Sequence, residues 1–172
     1  MGTYRSDEGA RRRLEELYAA HAGQVHAFAA RRVGPASAPD MVSETFLVAW
    51  RRIDEIRDPA LPWLLATARK LVANELRGQA RRSALTERLG SLASGMYGTD
   101  PSALAQQEVI TALRTLPDAD QEVLTLAVWH DLSGPQAARV LGCSPGTYAV
   151  RLHRARRRLR RRMESAHKEA QP

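Results

Sequence analysis

The stretch GPQAARVLGCSPGTYAVRLHRARRRLRRRM, from Gly134 to Met163, decides how the C-terminal part of this chain folds. Its first half predicts a short helix with an apolar face made of Ala137, Ala138, Val140 and Leu141. Gly142 then supplies a flexible turn residue, and Ser144 followed by Pro145 predicts an N-cap with proline at the first helical position. The stretch therefore predicts a helix, a tight turn and a second helix.

The second predicted helix is a continuous basic rod. One stripe at helical spacing is apolar and can pack on the protein: Leu152, Ala155, Leu159 and Met163. Arginine covers the rest: Arg151, Arg154, Arg156, Arg157, Arg158, Arg160, Arg161 and Arg162. Such a surface neutralises phosphates and releases their counterions, and the preceding turn and cap favour the major groove of duplex DNA. Ribosomal RNA or an anionic membrane surface are alternatives, although a thin stripe without Trp or Phe argues against membrane insertion.

The length and charge distribution of the chain bound its organisation. With 172 residues, 44% of them hydrophobic, the chain can bury one core or two small ones, which excludes wholesale disorder. The net charge is +4 over residues 1–82 (14 basic, 10 acidic), −5 over 83–131 (2 and 7) and +8 over 132–172 (10 and 2). Two basic blocks around an acidic one indicate two separate contacts with a polyanion.

Several classes of site and location are disfavoured by what the sequence lacks. The single cysteine, Cys143, excludes an internal disulfide and a Cys-cluster zinc site, and its place in the turn predicts packing rather than redox sensing. The histidines lack ligand spacing, so we expect no metal ion and no cofactor. No nucleophile with a base, P-loop or carboxylate pair is recognisable, so we expect no enzymatic activity. No apolar run approaches the roughly 20 residues that span a bilayer, and no signal peptide is visible, which predicts a cytoplasmic protein.

The N-terminal half predicts three helices. The first is a long helix that ends before Gly34, and the second opens with a Ser37-x-x-Asp40 capping box that has Pro39 in its first turn. That second helix carries an apolar face of Val42, Phe46, Ala49, Trp50 and Ile53. A loop over 54–61 follows. Pro62 then opens the third helix, which runs to about Arg82, with a core side of Leu64, Ala68, Leu71, Val72 and Leu76.

We therefore expect an all-α fold of two small helical bundles joined by a flexible linker, the second bundle containing the helix-turn-helix. The expected domains are residues 1–82 and 102–172, with 83–101 as the linker because it is rich in Gly, Ser and Thr and has little periodicity. In the second bundle, Asp118 is expected to cap a helix together with Gln121, three residues on.

One face of the predicted third helix has the composition of a single-strand-binding surface. Its members recur at steps of three or four, opposite the apolar stripe: Trp63, Thr67, Lys70, Asn74, Arg77 and Arg81. Unpaired nucleic acid needs such a mixture, with a ring for stacking, donors for base edges and cations for the backbone. A solvated face with Trp63 tucked into the core fits the spacing equally well.

On the second helix a group of mostly charged side chains projects away from the apolar side: Asp40, Ser43, Glu44, Leu47 and Arg51. An exposed leucine between charges can mark a surface that binds a partner. Isolated exposed leucines are also ordinary, and the pattern alone favours that simpler interpretation.

Five blocks in this order resemble the extracytoplasmic-function (ECF, group 4) sigma factors of bacterial RNA polymerase. The blocks are LYAAHAGQVHAFAARRV, PDMVSETFLVAWRRID, PWLLATARKLVANELR, ALRTLPDADQEVLTL and LGCSPGTYAVRLHRARRRLR. The resemblance covers residues 14–163. It implies that the first bundle is sigma region 2 and the second is sigma region 4.

The resemblance implies a non-catalytic function in promoter-specific transcription initiation. Region 4 would recognise the minus 35 element as duplex, and region 2 would melt and hold the minus 10 element. The partners implied are core RNA polymerase, through its β′ clamp helices and β flap, promoter DNA and an anti-sigma factor.

Together, the family pattern and the helix faces and cap described above assign three sites. Polymerase binding falls on Asp40 and Glu44, which match acidic positions, and on the neighbouring Ser43, Leu47 and Arg51, with Ser43 replacing a usual glutamine. Minus 10 binding falls on Trp63, Thr67, Lys70, Asn74 and Arg77, with Lys70 replacing a common asparagine and the 54–61 loop receiving a flipped-out base. Minus 35 binding falls on Ser144, Thr147, Tyr148, Arg151 and Arg154, with Tyr148 replacing a usual branched residue.

Two other functions compete with this one. A two-domain helix-turn-helix regulator would bind duplex DNA as a dimer without polymerase, and a basic RNA- or membrane-binding protein would use the arginine rod alone. The polar face of the third helix argues against the dimeric regulator, which has no use for a single-strand surface.

Overall fold

The computed structural model describes residues 3–86, 103–129 and 132–169, and every regular element in these ranges is helical. The chain divides into two compact units, Met1–Gly95 and Met96–Pro172. The predicted all-α fold with two bundles is confirmed. Most of the predicted linker, from residue 87 onward, lies outside the described residues.

The N-terminal unit contains α1 (Thr3–Val33), α2 (Ala38–Arg51), a 3-10 helix (Ile53–Glu55) and α3 (Leu61–Thr86). The three α-helices pack around a common apolar core whose largest fully buried side chains include Val25, Phe28, Leu64, Leu65 and Val72. Thr45 is buried in this core, and its Oγ1 donates to the carbonyl oxygen of Met41 at 2.6 Å. Its hydroxyl is therefore satisfied within α2 and costs the core little.

The junction between α1 and α2 is only partly as the sequence predicts. α1 ends at Val33, and Gly34 takes a φ of +82°, which glycine adopts without steric cost. The predicted Ser37 capping box is wrong, because Ser37 has helical backbone angles and makes no side-chain cap hydrogen bond. A capping side chain needs extended backbone and an N–H at the second or third helical position. Pro39, at the second helical position, has no N–H, and the N–H of Asp40 at the third position donates no hydrogen bond to the Ser37 side chain.

The segment between α2 and α3 is more ordered than the predicted loop. Residues Ile53–Glu55 form a 3-10 helix, and α3 begins at Leu61 and extends to Thr86, so that the first four residues of the predicted linker are helical. The Nη2 of Arg13 in α1 lies 3.0 Å from Oδ1 of Asp58 and ties this segment to the bundle. Trp50 and Leu76, predicted to face the core, are instead exposed at its edge.

The C-terminal unit contains α4 (Ala103–Arg114), α5 (Asp118–Trp129), α6 (Gly134–Leu141) and α7 (Pro145–Glu169). One cluster of its core joins Leu116, just after α4, to Leu124 of α5 and Ala155 of α7, with Leu113, Leu152 and Leu159 packed against them. The predicted cap at Asp118 is not formed, since Asp118 is already the first residue of α5. Gln121 instead donates from Nε2 to the carbonyl oxygen of Leu116 at 2.8 Å, beyond the end of α4.

The turn between α6 and α7 confirms the predicted helix-turn-helix. Gly142 adopts the left-handed conformation, with φ 66°, and the N–H of Cys143 donates to the carbonyl oxygen of Ala138 at 3.0 Å. This hydrogen bond closes the C-terminus of α6 as in a Schellman motif. The apolar face of α6 is buried as predicted, at Ala137, Ala138, Val140 and Leu141.

Candidate nucleic-acid interface

The first turn of α7 is fixed by the predicted cap. The backbone N–H of Thr147 donates to Oγ of Ser144 at 3.1 Å, and the two hydroxyl oxygens lie 2.9 Å apart. Beyond this cap, Arg151 and Arg154 are exposed, and neither makes an ion pair with a carboxylate among the described side chains. Thr147, Arg151 and Arg154 follow one another at helical spacing, so they share one open face of α7.

Tyr148 does not belong to that face, and we correct its assignment to the DNA-contacting set. The residue is only 4% exposed, and its ring lies about 4 Å from the place that a Cβ on Gly134 would occupy. Burial raises the pKa of the Tyr148 hydroxyl above its ordinary value. Tyr148 precedes Leu152 by four residues and Ala155 by seven, the spacing of the apolar stripe, which is the signal that sequence reasoning missed.

Further along α7, arginines line a shallow groove of about 270 Å³ together with a histidine: His153, Arg154, Arg157, Arg158 and Arg161. One of them is held by the protein itself. Nη1 of Arg158 donates to Oδ2 of Asp120 in α5 at 2.5 Å, where the carboxylate is only 11% exposed. The rest of this surface carries a dense positive charge suited to phosphate.

In the N-terminal unit, the side chains predicted to bind a single strand lie along one face of α3. Lys70, Asn74 and Arg77 are exposed, while Trp63 and Thr67 are half-buried. Trp63 thus lies between the two alternatives that its spacing allows, neither enclosed in the core nor free in solvent. Nη2 of Arg77 donates to Oδ1 of Asn74, so an amide and a cation already act together on this surface.

Arg52, which sequence reasoning did not single out, and Glu55, which it named only as part of the 54–61 loop, lie beside this face. The guanidinium carbon of Arg52 lies 5.8 Å from the centroid of the Trp63 ring, within the range of a cation–π contact. Arg52 donates to Glu55 twice, from Nε to Oε1 at 3.0 Å and from Nη2 to Oε2. The hydrogen bond to Arg52 lowers the pKa of the Glu55 carboxyl and raises the pKa of the guanidinium. The i, i+3 spacing of opposite charges was the available signal.

The predicted partner-binding face of α2 is entirely solvent-exposed. Its members are Asp40, Ser43, Glu44, Leu47 and Arg51. Leu47 is 54% exposed, and Trp50, three residues on, is also exposed. An apolar side chain at the centre of a charged, open helix face is typical of a protein–protein contact surface.

The described part of the chain shows neither a cluster of metal ligands nor a membrane-spanning helix. No group of three or more His, Cys, Asp or Glu side chains there is arranged to hold a metal ion. No helix within residues 3–86, 103–129 and 132–169 combines the length and apolar character needed to cross a membrane.

Comparison with known families matches both units. Residues 17–82 match the model of sigma-70 region 2, and residues 106–159 match that of sigma-70 region 4. The chain is 32% identical over 153 residues to the ECF RNA polymerase sigma factor SigL of Mycobacterium tuberculosis (strain Erdman), covering 86% of each protein. It is 34% identical to the ECF RNA polymerase sigma factor SigC of Mycobacterium tuberculosis (strain CDC 1551), covering 87% of this chain and 82% of that one.

Solved structures agree with this fold. CnrH, solved in complex with the cytosolic domain of CnrY, matches with a TM-score of 0.62 and 26% identity over 98% of this chain and 96% of that one. RpoE of Bartonella quintana, solved with the anti-sigma factor NepR, matches in fold with a TM-score of 0.72 at 23% identity over 87% of this chain and 96% of that one. Two family matches in chain order and two relatives above 30% identity over most of the chain place it among the ECF RNA polymerase sigma factors, the subunits that bind core polymerase and direct promoter-specific transcription initiation.

Proposed function

We propose that this sigma factor recognises the minus 35 element as duplex through α6 and α7 and opens and holds the minus 10 element on α3. One observation carries the proposal. The α3 helix carries a half-buried aromatic ring on the same face as an exposed amide and exposed cations, while a separate unit carries the helix-turn-helix. Duplex DNA offers no unstacked bases for such a ring, whereas a melted strand does.

The minus 35 contact is assigned to the face of α7 that follows its N-cap. Thr147, Arg151 and Arg154 are the side chains proposed to enter the major groove, with Ser144 fixing the start of the helix. A helix-turn-helix reads bases with the first turns of its second helix. The arginines further along α7 are proposed to neutralise phosphates on either side of the groove.

Polymerase binding is assigned to the exposed face of α2. Asp40 and Glu44 present carboxylates one turn apart, and Leu47 supplies an apolar contact beside them. This face is proposed to bind the β′ clamp helices, and the C-terminal unit to bind the β flap. The protein is proposed to act in the cytoplasm, without enzymatic activity, and to be held inactive by an anti-sigma factor. The complex of CnrH with the cytosolic domain of CnrY supports a protein partner of this kind.

Co-elution with core polymerase separates this function from its rivals. The purified chain should enter a complex with core enzyme and make it start transcription on a fork-junction template. Alone it should bind duplex DNA weakly, because two small units gain avidity only when polymerase fixes their spacing. Nanomolar binding of the isolated protein to palindromic half-sites would instead identify a dimeric regulator.

A substitution on α3 tests strand opening directly. Trp63→Ala should slow opening of a closed duplex promoter by removing stacking of roughly 1 to 3 kcal/mol per base. A pre-melted bubble should restore much of the rate, because the unpairing cost of a few kcal/mol is then already met. Transcription from both templates, with a melting curve of the variant as control, measures this. Equal defects on the two templates would remove the strand-opening role from Trp63.

A further inference from the structure

The Arg52–Glu55 pair covers part of the surface that a stacking base needs. The guanidinium of Arg52 lies 5.8 Å above the ring of Trp63, and both Glu55 oxygens accept hydrogen bonds from it. The 3-10 helix after α2 makes this reach possible, since the N–H of Glu55 donates to the carbonyl oxygen of Arg52 at 3.0 Å. The pair is open to solvent, with Arg52 52% and Glu55 54% exposed.

The chemistry of the pair parallels that of a bound nucleotide. Arginine binds carboxylate and phosphate with the same forked geometry, so the Glu55 carboxylate occupies a position that a strand phosphate could take. The guanidinium lies over the indole face within cation–π range, and that face is the one on which a nucleobase would stack. Within the free protein, Glu55 therefore occupies one side of the Arg52 fork, and Arg52 lies over the Trp63 ring.

We propose that Arg52 is a further residue of the single-strand site, and that Glu55 holds it over Trp63 until a melted strand arrives. On binding, the guanidinium exchanges the Glu55 carboxylate for a strand phosphate and uncovers the ring for a base. This inference rests on the proposed role of α3 in holding unpaired DNA. Because an exposed ion pair is weak, Arg52 exchanges between Glu55 and a strand phosphate readily. The pair therefore changes the affinity for single-stranded DNA by only a modest factor.

The test measures binding of the full chain to a short fluorescein-labelled oligodeoxyadenylate by fluorescence anisotropy. Glu55→Gln removes the negative charge that holds Arg52 and should tighten binding by about two- to fivefold, the range expected for losing one exposed competing ion pair. Glu15→Gln is the matched control: it breaks the exposed Arg11–Glu15 pair on α1 and changes the net charge equally. The gain from Glu55→Gln should exceed that of the control, and it should vanish in a Trp63→Ala background.

The salt dependence of binding reports on the phosphate contact itself. Adding Arg52→Gln to Glu55→Gln should lower the slope of log affinity against log salt by about 0.7, the value for one phosphate contact on a single strand. An unchanged slope would exclude the exchange onto phosphate, because loss of structure alone does not remove one counterion.

Two failures are distinguishable. If Glu55→Gln and Glu15→Gln tighten binding equally, the Arg52 proposal is wrong, while weaker binding by Trp63→Ala keeps the α3 strand site. If Trp63→Ala binds the oligonucleotide as tightly as the wild type, the α3 strand site is wrong, and the Arg52 proposal is wrong with it.

Discussion

Arg158 of α7 donates a hydrogen bond to the carboxylate of Asp120 in α5 at 2.5 Å, across 38 residues of sequence. The carboxylate side of this pair is nearly buried, whereas Arg158 is 56% exposed. The contact fixes the long basic helix to the core helix that precedes the helix-turn-helix. Part of the arginine surface therefore fixes the position of α7 within its unit.

Replacing Arg158 should loosen the C-terminal unit. Arg158→Met keeps the aliphatic stem but leaves a nearly buried carboxylate without its partner, which should cost ~1–3 kcal/mol. Hydrogen exchange read by mass spectrometry on peptides of α5 and α7 should show faster opening. Arg157→Met, an exposed neighbour on the same helix, is the control. Equal protection in the two variants would mean that the pair contributes nothing to stability.

Reversing the charge of Asp40 and Glu44 together should weaken association with core polymerase without unfolding the protein. Both carboxylates are exposed on one face of α2, so their loss alters a surface rather than the core. Co-elution with core enzyme and circular dichroism measure the two effects. Reversing Glu15 and Glu16, two exposed carboxylates of α1, makes the same change of charge elsewhere. Unchanged co-elution of the α2 variant would remove this face from the polymerase interface.

Arg151→Ala and Arg154→Ala should each reduce formation of the promoter complex. The kind of loss depends on whether the arginine contacts a base or a phosphate. A base contact costs about 1 to 3 kcal/mol and relaxes specificity at one position. A phosphate contact weakens binding to all sequences and lowers the salt slope by about one.

Arg160 provides the comparison for these variants, because it lies nine residues after Arg151 and so projects from the opposite side of α7. Arg160→Ala should change promoter affinity less than either substitution. If all three variants behave alike, the face assigned to DNA is the wrong one.

Tyr148 should behave as a buried residue whose hydroxyl ionises at a higher pH than that of a free tyrosine. Because burial raises its pKa, the neutral hydroxyl is favoured in the folded state. Its contribution to stability is present below the unfolded pKa, about 10, and is lost as the pH rises through the higher folded value. The ultraviolet difference absorbance between wild type and Tyr148→Phe should show this tyrosine ionising above pH 10. Ionisation at the ordinary pKa would mean that the ring is solvated.

The two substitutions of Tyr148 should separate packing from DNA contact. Tyr148→Phe keeps the buried ring and should leave promoter binding unchanged, whereas Tyr148→Ala should destabilise the unit by ~3 kcal/mol or more. A selective loss of promoter affinity in Tyr148→Phe, with stability intact, would return this residue to the DNA surface.

Features with a local cause are well predicted from sequence. The helix-turn-helix follows from the apolar face of α6, the glycine at its end and the Ser144 cap, each of which depends only on neighbours a few residues away. The outward faces of α2 and α3 follow from the 3.6-residue period, because it fixes which side chains share a side of a helix. The capping box at Ser37 is the exception: Asp40 keeps the N–H that such a box uses, but Ser37 has helical rather than extended backbone angles and its side chain makes no cap hydrogen bond.

What the sequence by itself determined is therefore the set of helices, their apolar stripes and the composition of their open faces. Only the tertiary structure decided which side chains on those faces are held by contacts with other parts of the protein. It placed Arg52 over Trp63 from the turn after another helix and paired Arg158 with Asp120. The physical reason is that helical period is set by local backbone geometry, whereas burial, ring contacts and ion pairs between helices depend on packing across tens of residues.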